Sequence, residues 1–276
     1  AVIYDWENRW AMEDAQGPRN KGLYYQETVT KLHRAFRRLG LNVDLTDMEQ
    51  ELNRYPVVAG PMGYMFRRGV AEKLKNYVEQ GGHLILTYWS GIVDDTDLCF
   101  LGGTPHGLME VCGLRSEEID GLYDWESNSG AAVPGNSLGM AGEYQCSHLC
   151  DLVELKGAEA VLTYGSDFYA GKPALTVHKY GKGMVYYVCA DFEDKLYGDL
   201  CRRAATDAGL ELLWQDIPQG VEVSSRENGQ AEYLFVQNFN PKTVAWDDIP
   251  KQWKQIYGEV SDELPGFGTK VYRRQL

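Results

Sequence analysis

The chain has 276 residues, 44% hydrophobic and 24% charged, a size and balance that suit one large folded domain or a medium one with a small partner. Forty acids against 27 bases leave a formal net charge of -13, which repels phosphate backbones and argues against nucleic acid as a partner. No apolar run approaches the ~18 residues a membrane span needs, and no charged-then-apolar signal segment opens the chain, so a cytoplasmic protein is expected.

Ala1 to Asp5 reads as a short strand already under way, the expected look of a piece cut from a longer polypeptide. From Gly22 to Leu39 the apolar positions Tyr25, Val29, Leu32, Phe36 and Leu39 recur at helical spacing, and Gly40 caps the end. Leu41 to Leu45 alternates like a strand, and Tyr55 to Ala59 is a second short apolar run closed by Gly60-Pro61. Val70 to Glu79 is predicted helical, with Leu74, Tyr77 and Val78 on one face and Gly81-Gly82 beyond it. His83 to Trp89 is apolar on both faces, as a central parallel strand covered by helices must be.

Further strands are predicted over 160–164, 174–178 and 183–189, the last two joined as a hairpin by Tyr180-Gly-Lys-Gly183, with a closing helix from Asp194 to Ala208. Strand-helix-strand units with short connections imply an α/β fold with an open, mostly parallel sheet, turning antiparallel at one edge. The character changes near Ile217-Pro218. Strands over 221–224, 232–238 and 268–273, with a hairpin turn at Asn228-Gly229 and apolar Val244, Trp246, Ile249 and Trp253, predict a small antiparallel β domain. The expected division is 1–216 and 217–276.

The reactive residue types point away from catalysis in this segment. Ser90 follows the central strand, but Tyr-Trp-Ser-Gly lacks the glycine two residues before the serine that a strained nucleophile elbow uses. A cysteine nucleophile fails similarly, because Cys99 lies ten residues past the strand. Phosphate-cradling glycine motifs are absent. Asp94, Asp95 and Asp97, and Glu117, Glu118 and Asp120, could supply paired carboxyls, but acids in a run more often face solvent or bond to turn backbone. Cys146, His148 and Cys150 are close enough to suggest a metal, yet no second pair at zinc-finger spacing accompanies them and a helix-like stretch adjoins them. The six cysteines read as free thiols in a reducing cytoplasm, and neither metal nor cofactor is expected.

Aromatic residues are the remaining signal. Trp6, Trp10, Tyr24, Tyr25, Tyr88, Trp89, Phe100 and Tyr123 fall at or after predicted strand ends. In an open α/β sheet functional surface gathers there, and Trp and Tyr commonly anchor protein interfaces.

These stretches carry a family resemblance. Tyr4-Asp-Trp-Glu-Asn-Arg-Trp10, Gly17-Pro18, Asp44-Leu45, Pro61-Met62, Gly81-Gly82 and Thr87-Tyr-Trp-Ser-Gly-Ile-Val-Asp94 resemble the family 42 glycoside hydrolases, the bacterial β-galactosidases. Asp95-Thr-Asp-Leu-Cys-Phe-Leu-Gly-Gly103 fits too, with Asp95 where the family usually has Asn, as do Phe168-Tyr-Ala-Gly171, Pro173-Ala174 and Tyr180-Gly-Lys-Gly183. The resemblance covers nearly the whole chain, but only the later part of such an enzyme. It implies an α/β trimerisation domain, flavodoxin-like and similar to class I amidotransferases, followed by a small C-terminal β domain. The two catalytic glutamates of the retaining mechanism lie in a preceding (β/α)8 barrel, and no stretch here resembles it.

The expected role is therefore a non-catalytic assembly region of an enzyme that hydrolyses terminal β-D-galactosides. Its partners would be the enzyme's own barrel and two further copies, with no nucleic acid or membrane. Trp6, Glu7, Asn8, Tyr88, Trp89, Ser90, Asp94, Asp95, Asp97 and Phe100 are expected at the interface or lining the galactoside funnel. Two rivals remain open: a carbohydrate-binding module using the rings at 6–10 and 88–100, or an amidotransferase-like enzyme with a reactive thiol near Cys99 and His106.

Overall fold

A computed structural model describes residues 1–19, 23–214, 217–246 and 248–276. The chain divides into two compact units: residues 1–32 with 44–210, and residues 33–43 with 211–276. Gly22, the expected first residue of the first long helix, and Asp216, at the expected domain boundary, lie outside the described residues.

In the larger unit the elements run β1 (Val2–Ile3), α1 (Trp6–Asp14), α2 (Tyr25–Arg37, whose last turns belong to the other unit), β2 (Leu45–Thr46), β3 (Val57–Gly60), α3 (Val70–Glu79) and β4 (His83–Thr87). They continue as α4 (Met109–Cys112), β5 (Leu114–Gly121), β6 (Asn128–Ala132), β7 (Glu143–Leu155), β8 (Glu159–Tyr164), β9 (Pro173–Tyr180), β10 (Gly183–Val188), β11 (Ala190–Phe192) and α5 (Asp194–Asp207). Eleven strands form one sheet in the order β11-β7-β6-β8-β9-β10-β4-β3-β1-β2, with β5 paired to β7.

The α/β character holds, and the sheet is mixed rather than mostly parallel. Parallel pairing is confined to β10-β4-β3-β1-β2. All other pairs are antiparallel, because α4 is the only described helix between β4 and β10 and it precedes β5, so from there the strands follow one another without a helical crossover. Every residue of β4 is buried, as its two-faced apolarity requires. The 180–183 hairpin forms as expected, Tyr180 opposite Gly183. The expected strand at 41–45 shrinks to Leu45–Thr46. Residues 41–43 serve the smaller unit instead, where Asn42 Nδ2 donates to Ser225 O (3.2 Å).

The smaller unit contains β12 (Val221–Glu227), β13 (Ala231–Asn238), β14 (Val244–Ala245), β15 (Lys254–Tyr257), β16 (Glu263–Leu264) and β17 (Thr269–Gln275). A four-stranded antiparallel sheet, β12-β13-β17-β15, closes over Trp214, Ile217, Val223, Leu234, Val236 and Trp253. The Asn228-Gly229 turn holds because Gly229 takes φ +81, which a Cβ would disfavour. No described helix is long and apolar enough to cross a membrane.

Candidate interaction surface at the carboxyl edge of the sheet

The parallel strands β1, β3 and β4 end at one edge, and β1 and β4 hand over to residues of the candidate set. After β1, Asp5 caps α1: its Oδ1 accepts from Asn8 N (3.0 Å). Asp5 is 1% exposed, and Arg67 answers it with two parallel bonds, Nη1 to Oδ1 (3.1 Å) and Nη2 to Oδ2 (2.6 Å). The same guanidinium reaches Glu7 (2.7 Å) and Glu49 (3.2 Å). Two-pronged pairing of this kind fixes orientation as well as charge. Asn8 completes the clamp, its Nδ2 donating to Met62 O (3.0 Å) and its Oδ1 accepting from Met65 N (2.9 Å).

A clamped helix then presents its outer face. Trp6 and Trp10, one turn apart, are 55% and 59% exposed, with ring centroids 6.1 Å apart and Arg9 lying 5.2 Å over Trp6. Glu7 is also exposed. Of the expected trio, then, Trp6 and Glu7 reach the surface and Asn8 is buried as a positioning residue.

Tyr88, Trp89 and Ser90, expected at the surface, are buried instead. The Tyr88 hydroxyl bonds with Thr28 Oγ1 (3.1 Å). Trp89 adopts φ +54, left-handed backbone that a non-glycine residue takes at some cost. Its N–H donates to both carboxyl oxygens of Asp151 (3.1 and 3.3 Å), and its ring is 2% exposed. Ser90 Oγ donates to Thr87 O (2.7 Å) and accepts from Gly63 N (3.2 Å), which leaves it no nucleophilic role. Burial decides this: apolar composition over 83–90 continues past the strand because the turn itself is core.

Asp151, which sequence reading did not single out, is 1% exposed and also accepts from Tyr187 Oη (2.6 Å). Burial pushes its carboxyl up to about 7, opposed by these donors. The Trp89 ring in turn lies against Gly17. A Cβ at residue 17 would fall 2.3 Å from the Cζ2 and Cη2 atoms of the ring. Gly17→Ala should therefore cost about 1–3 kcal/mol, seen as a lower urea midpoint with an unchanged slope, because the enclosed indole has nowhere to retreat. An unchanged midpoint would show that the ring does yield.

The loop after β4 is a solvent-facing turn. Asp94 Oδ1 accepts from Thr96 N (2.8 Å), Thr96 Oγ1 (2.7 Å) and Leu98 N (3.2 Å), and these bonds hold its carboxyl below the usual range. Asp95 and Asp97 are exposed, so no carboxyl here has the burial that a raised catalytic pKa requires. Phe100, half-buried, stacks on His106 at 3.9 Å and 5°. Leu98 and Leu101 at the loop tip are 67% and 90% exposed.

Cys146, His148 and Cys150 lie in strand β7, not beside a helix. His148 Nδ1 faces Asp191 Oδ2 (2.7 Å) and Ser147 Oγ (3.1 Å), and its ring packs on Tyr24. Both partners meet the same nitrogen. A relay needs the carboxylate at one ring nitrogen and the nucleophile at the other, so Ser147 is not activated. Burial opposes ionisation of Asp191, but His148 and Lys31 Nζ (2.6 Å) together hold its carboxyl below the ordinary range. The Cys146 thiol is raised by its neighbour Cys150 and by burial, and Cys112 by burial, the reverse of what a reactive thiolate needs.

Comparison with known proteins gives this surface a context. A family profile described as the β-galactosidase trimerisation domain matches residues 1–211, and one described as the β-galactosidase C-terminal domain matches residues 220–274. The β-galactosidase BglY of Alicyclobacillus acidocaldarius is 48% identical over 99% of this chain and 41% of its own length. The β-galactosidase Pbg of Clostridium perfringens is 41% identical over 100% and 41%. Among solved structures, the β-galactosidase from Rahnella sp. R3 superposes with a TM-score of 0.92 at 43% identity, over 100% of this chain and 40% of that one. That from Bacillus circulans sp. alkalophilus gives 0.90 at 35%, over 99% and 41%. The chain thus spans about two-fifths of the length of the relatives it matches.

Proposed function

Because the chain belongs to the glycoside hydrolase family 42 β-galactosidases, we propose that it is the non-catalytic assembly region of such an enzyme, acting in the bacterial cytoplasm. The larger unit is read as the element through which three copies associate. Hydrolysis of terminal β-D-galactosides, with retention, belongs to a barrel elsewhere in the longer protein, and no cofactor takes part. Trp6, Glu7, Asp94, Asp95, Asp97 and Phe100 face a second copy or the barrel, bordering the galactoside funnel. Asn8, Tyr88, Trp89 and Ser90 act from beneath by holding those surface residues in place.

One observation supports this most: two exposed tryptophans on a helix whose start is locked by a buried ion pair. Rigid exposed Trp is the side chain that most often anchors a protein interface, because it contributes large apolar area with little rotamer entropy to lose. In support, Ser90 and Asp94 are bonded to nearby groups, the Cys112 and Cys146 thiols are raised, and Asp95 and Asp97 face solvent.

Mass measurement in solution tests the reading. The chain is expected to form trimers and to leave a chromogenic galactoside unhydrolysed. Trp6→Ala with Trp10→Ala should weaken association at least about tenfold without lowering the urea midpoint. A chain that stays monomeric at every concentration, or hydrolysis of the galactoside by this chain free of host enzyme, rejects the proposal.

A further inference from the structure

A second exposed aromatic cluster, apart from Trp6 and Trp10, is built on Tyr123 and Trp125. Between β5 and β6, Gly121-Leu-Tyr-Asp-Trp125 forms an exposed loop in which Tyr123 and Trp125 stack with centroids 4.7 Å apart and planes within 4° of parallel. Trp125 is 79% exposed, so one whole face of its indole meets solvent. Across from the loop runs the segment that leaves α1. The Arg19 guanidinium, largely buried, donates to Leu122 O and to the Asp124 carboxylate, whose side chain is otherwise open to water. Gly121 lets the two segments meet, since a Cβ there would sit 2.7 Å from Pro18 O. Pro18, Arg19, Tyr123, Asp124 and Trp125 line a cleft of about 360 Å³.

The chemistry of this cleft is that of binding. Among the described residues, no thiol, hydroxyl-base pair or metal-ligand set lines it. It offers one flat π face and, at the rim, the exposed Asp124 carboxylate held in place by Arg19. The electron-rich face of an aromatic ring attracts weakly positive C–H groups, and one side of a pyranose is a patch of such groups about the width of an indole. Sugar hydroxyls donate as well as accept, so the exposed Asp124 carboxylate, its orientation fixed by Arg19, accepts from neighbouring hydroxyls. The volume takes one or two rings. Asp124 and the net charge of -13 disfavour a phosphate ligand. A protein partner would use a broader apolar area than one stacked Tyr–Trp pair bordered at once by an ion pair.

We propose that the cleft between Arg19 and the Tyr123–Trp125 stack holds a pyranose ring of a saccharide without acting on it. The proposal is independent of the assembly reading, because a monomeric chain that binds sugar leaves it standing. Buried Tyr88 and Trp89 take no part.

The test is titration of the 276-residue chain with galactose, lactose and glucose, followed by calorimetry and tryptophan fluorescence. Millimolar binding of at least one sugar is expected. Trp125→Ala should weaken it by at least about tenfold and Asp124→Ala by several-fold, whereas Trp6→Ala leaves it unchanged. Trp125 is exposed, so folding is not at stake in that variant; Asp124→Ala also removes a partner of the largely buried Arg19, so its urea midpoint is compared with that of the parent. Absence of binding by all three sugars overturns the proposal, and so does a Trp125→Ala chain with undiminished affinity. If Trp125→Ala instead shifts the mass distribution while no sugar binds, the loop is a protein contact and the proposal is equally overturned.

Discussion

Replacing Arg67 by alanine is expected to lower the unfolding free energy by about 3–5 kcal/mol and to loosen α1 from the sheet. The size follows from what stays behind. Asp5 is 1% exposed, and its carboxylate keeps only the Asn8 and Met48 amide donors once the guanidinium is gone. An ionised carboxylate without its partner cannot be rehydrated inside the edge of the sheet, so the loss exceeds that of any surface ion pair. The Glu7 and Glu49 contacts of the same arginine are exposed and contribute little. Arg67→Lys should recover part of the loss, keeping the charge but not the two-pronged geometry. Urea unfolding measures this directly. Because Trp6 and Trp10 ride on α1, the proposed association should weaken in Arg67→Ala as well. A loss below about 1 kcal/mol would show that the pair is not the clamp described here.

Asp151 should make the chain less stable as pH rises from about 4 to about 7, by up to about 4 kcal/mol in total. Its carboxyl titrates at about 7 when folded, raised by burial, and near 3.9 in an unfolded chain. Below about pH 4 both states hold the proton, and this group's contribution is at its most favourable. Between the two values only the unfolded chain releases the proton, which favours unfolding by about 1.4 kcal/mol per pH unit. Above 7 both states are ionised and the effect levels off. Asp151→Asn removes the titration while keeping an oxygen for Trp89 N. Its urea midpoint should be lower than that of the parent at pH 5, where the Tyr187 bond is compromised, and should fall less steeply toward pH 8. Parallel midpoint-against-pH curves for the two chains would reject the assignment. The turn at Trp89 is the local consequence: Asp151 supplies the acceptor that makes left-handed backbone tolerable there.

Much of the fold could be read from residue patterns. Helical spacing located α2, α3 and α5, glycine-bounded apolar runs located β3, β4, β8, β9 and β10, and Asn228-Gly229 announced the hairpin of the small sheet. The elements that escaped did so for local reasons of their own. Helix α1 buries only a short apolar stripe, Ala11 and Met12, and its fixed points Asp5 and Asn8 are polar. Strand β7 is interrupted at His148, whose φ of +62 breaks the alternation expected of a strand. The mostly parallel reading of the sheet extrapolated from its first half, where helices do separate the strands. The candidate surface was legible only in part. Trp6, Glu7 and the 94–100 loop, singled out by composition and family likeness, lie at the surface, whereas Arg67 carried no signal, lying 62 positions from the acid it neutralises.

By itself the sequence determined the class of fold, the α/β-then-β order and the family, because periodicity, turn chemistry and long motifs are local properties. Tertiary structure alone decided which aromatic rings are surface and which are core. Trp89 and Trp125 are the same residue type in loops following strands, yet one is 2% exposed and the other 79%. The difference lies in what folds over each: Gly17 closes against the first, and the second has only Tyr123 on one face. The covering contact, Gly17 on Trp89, joins positions distant along the chain, so no local pattern encodes it.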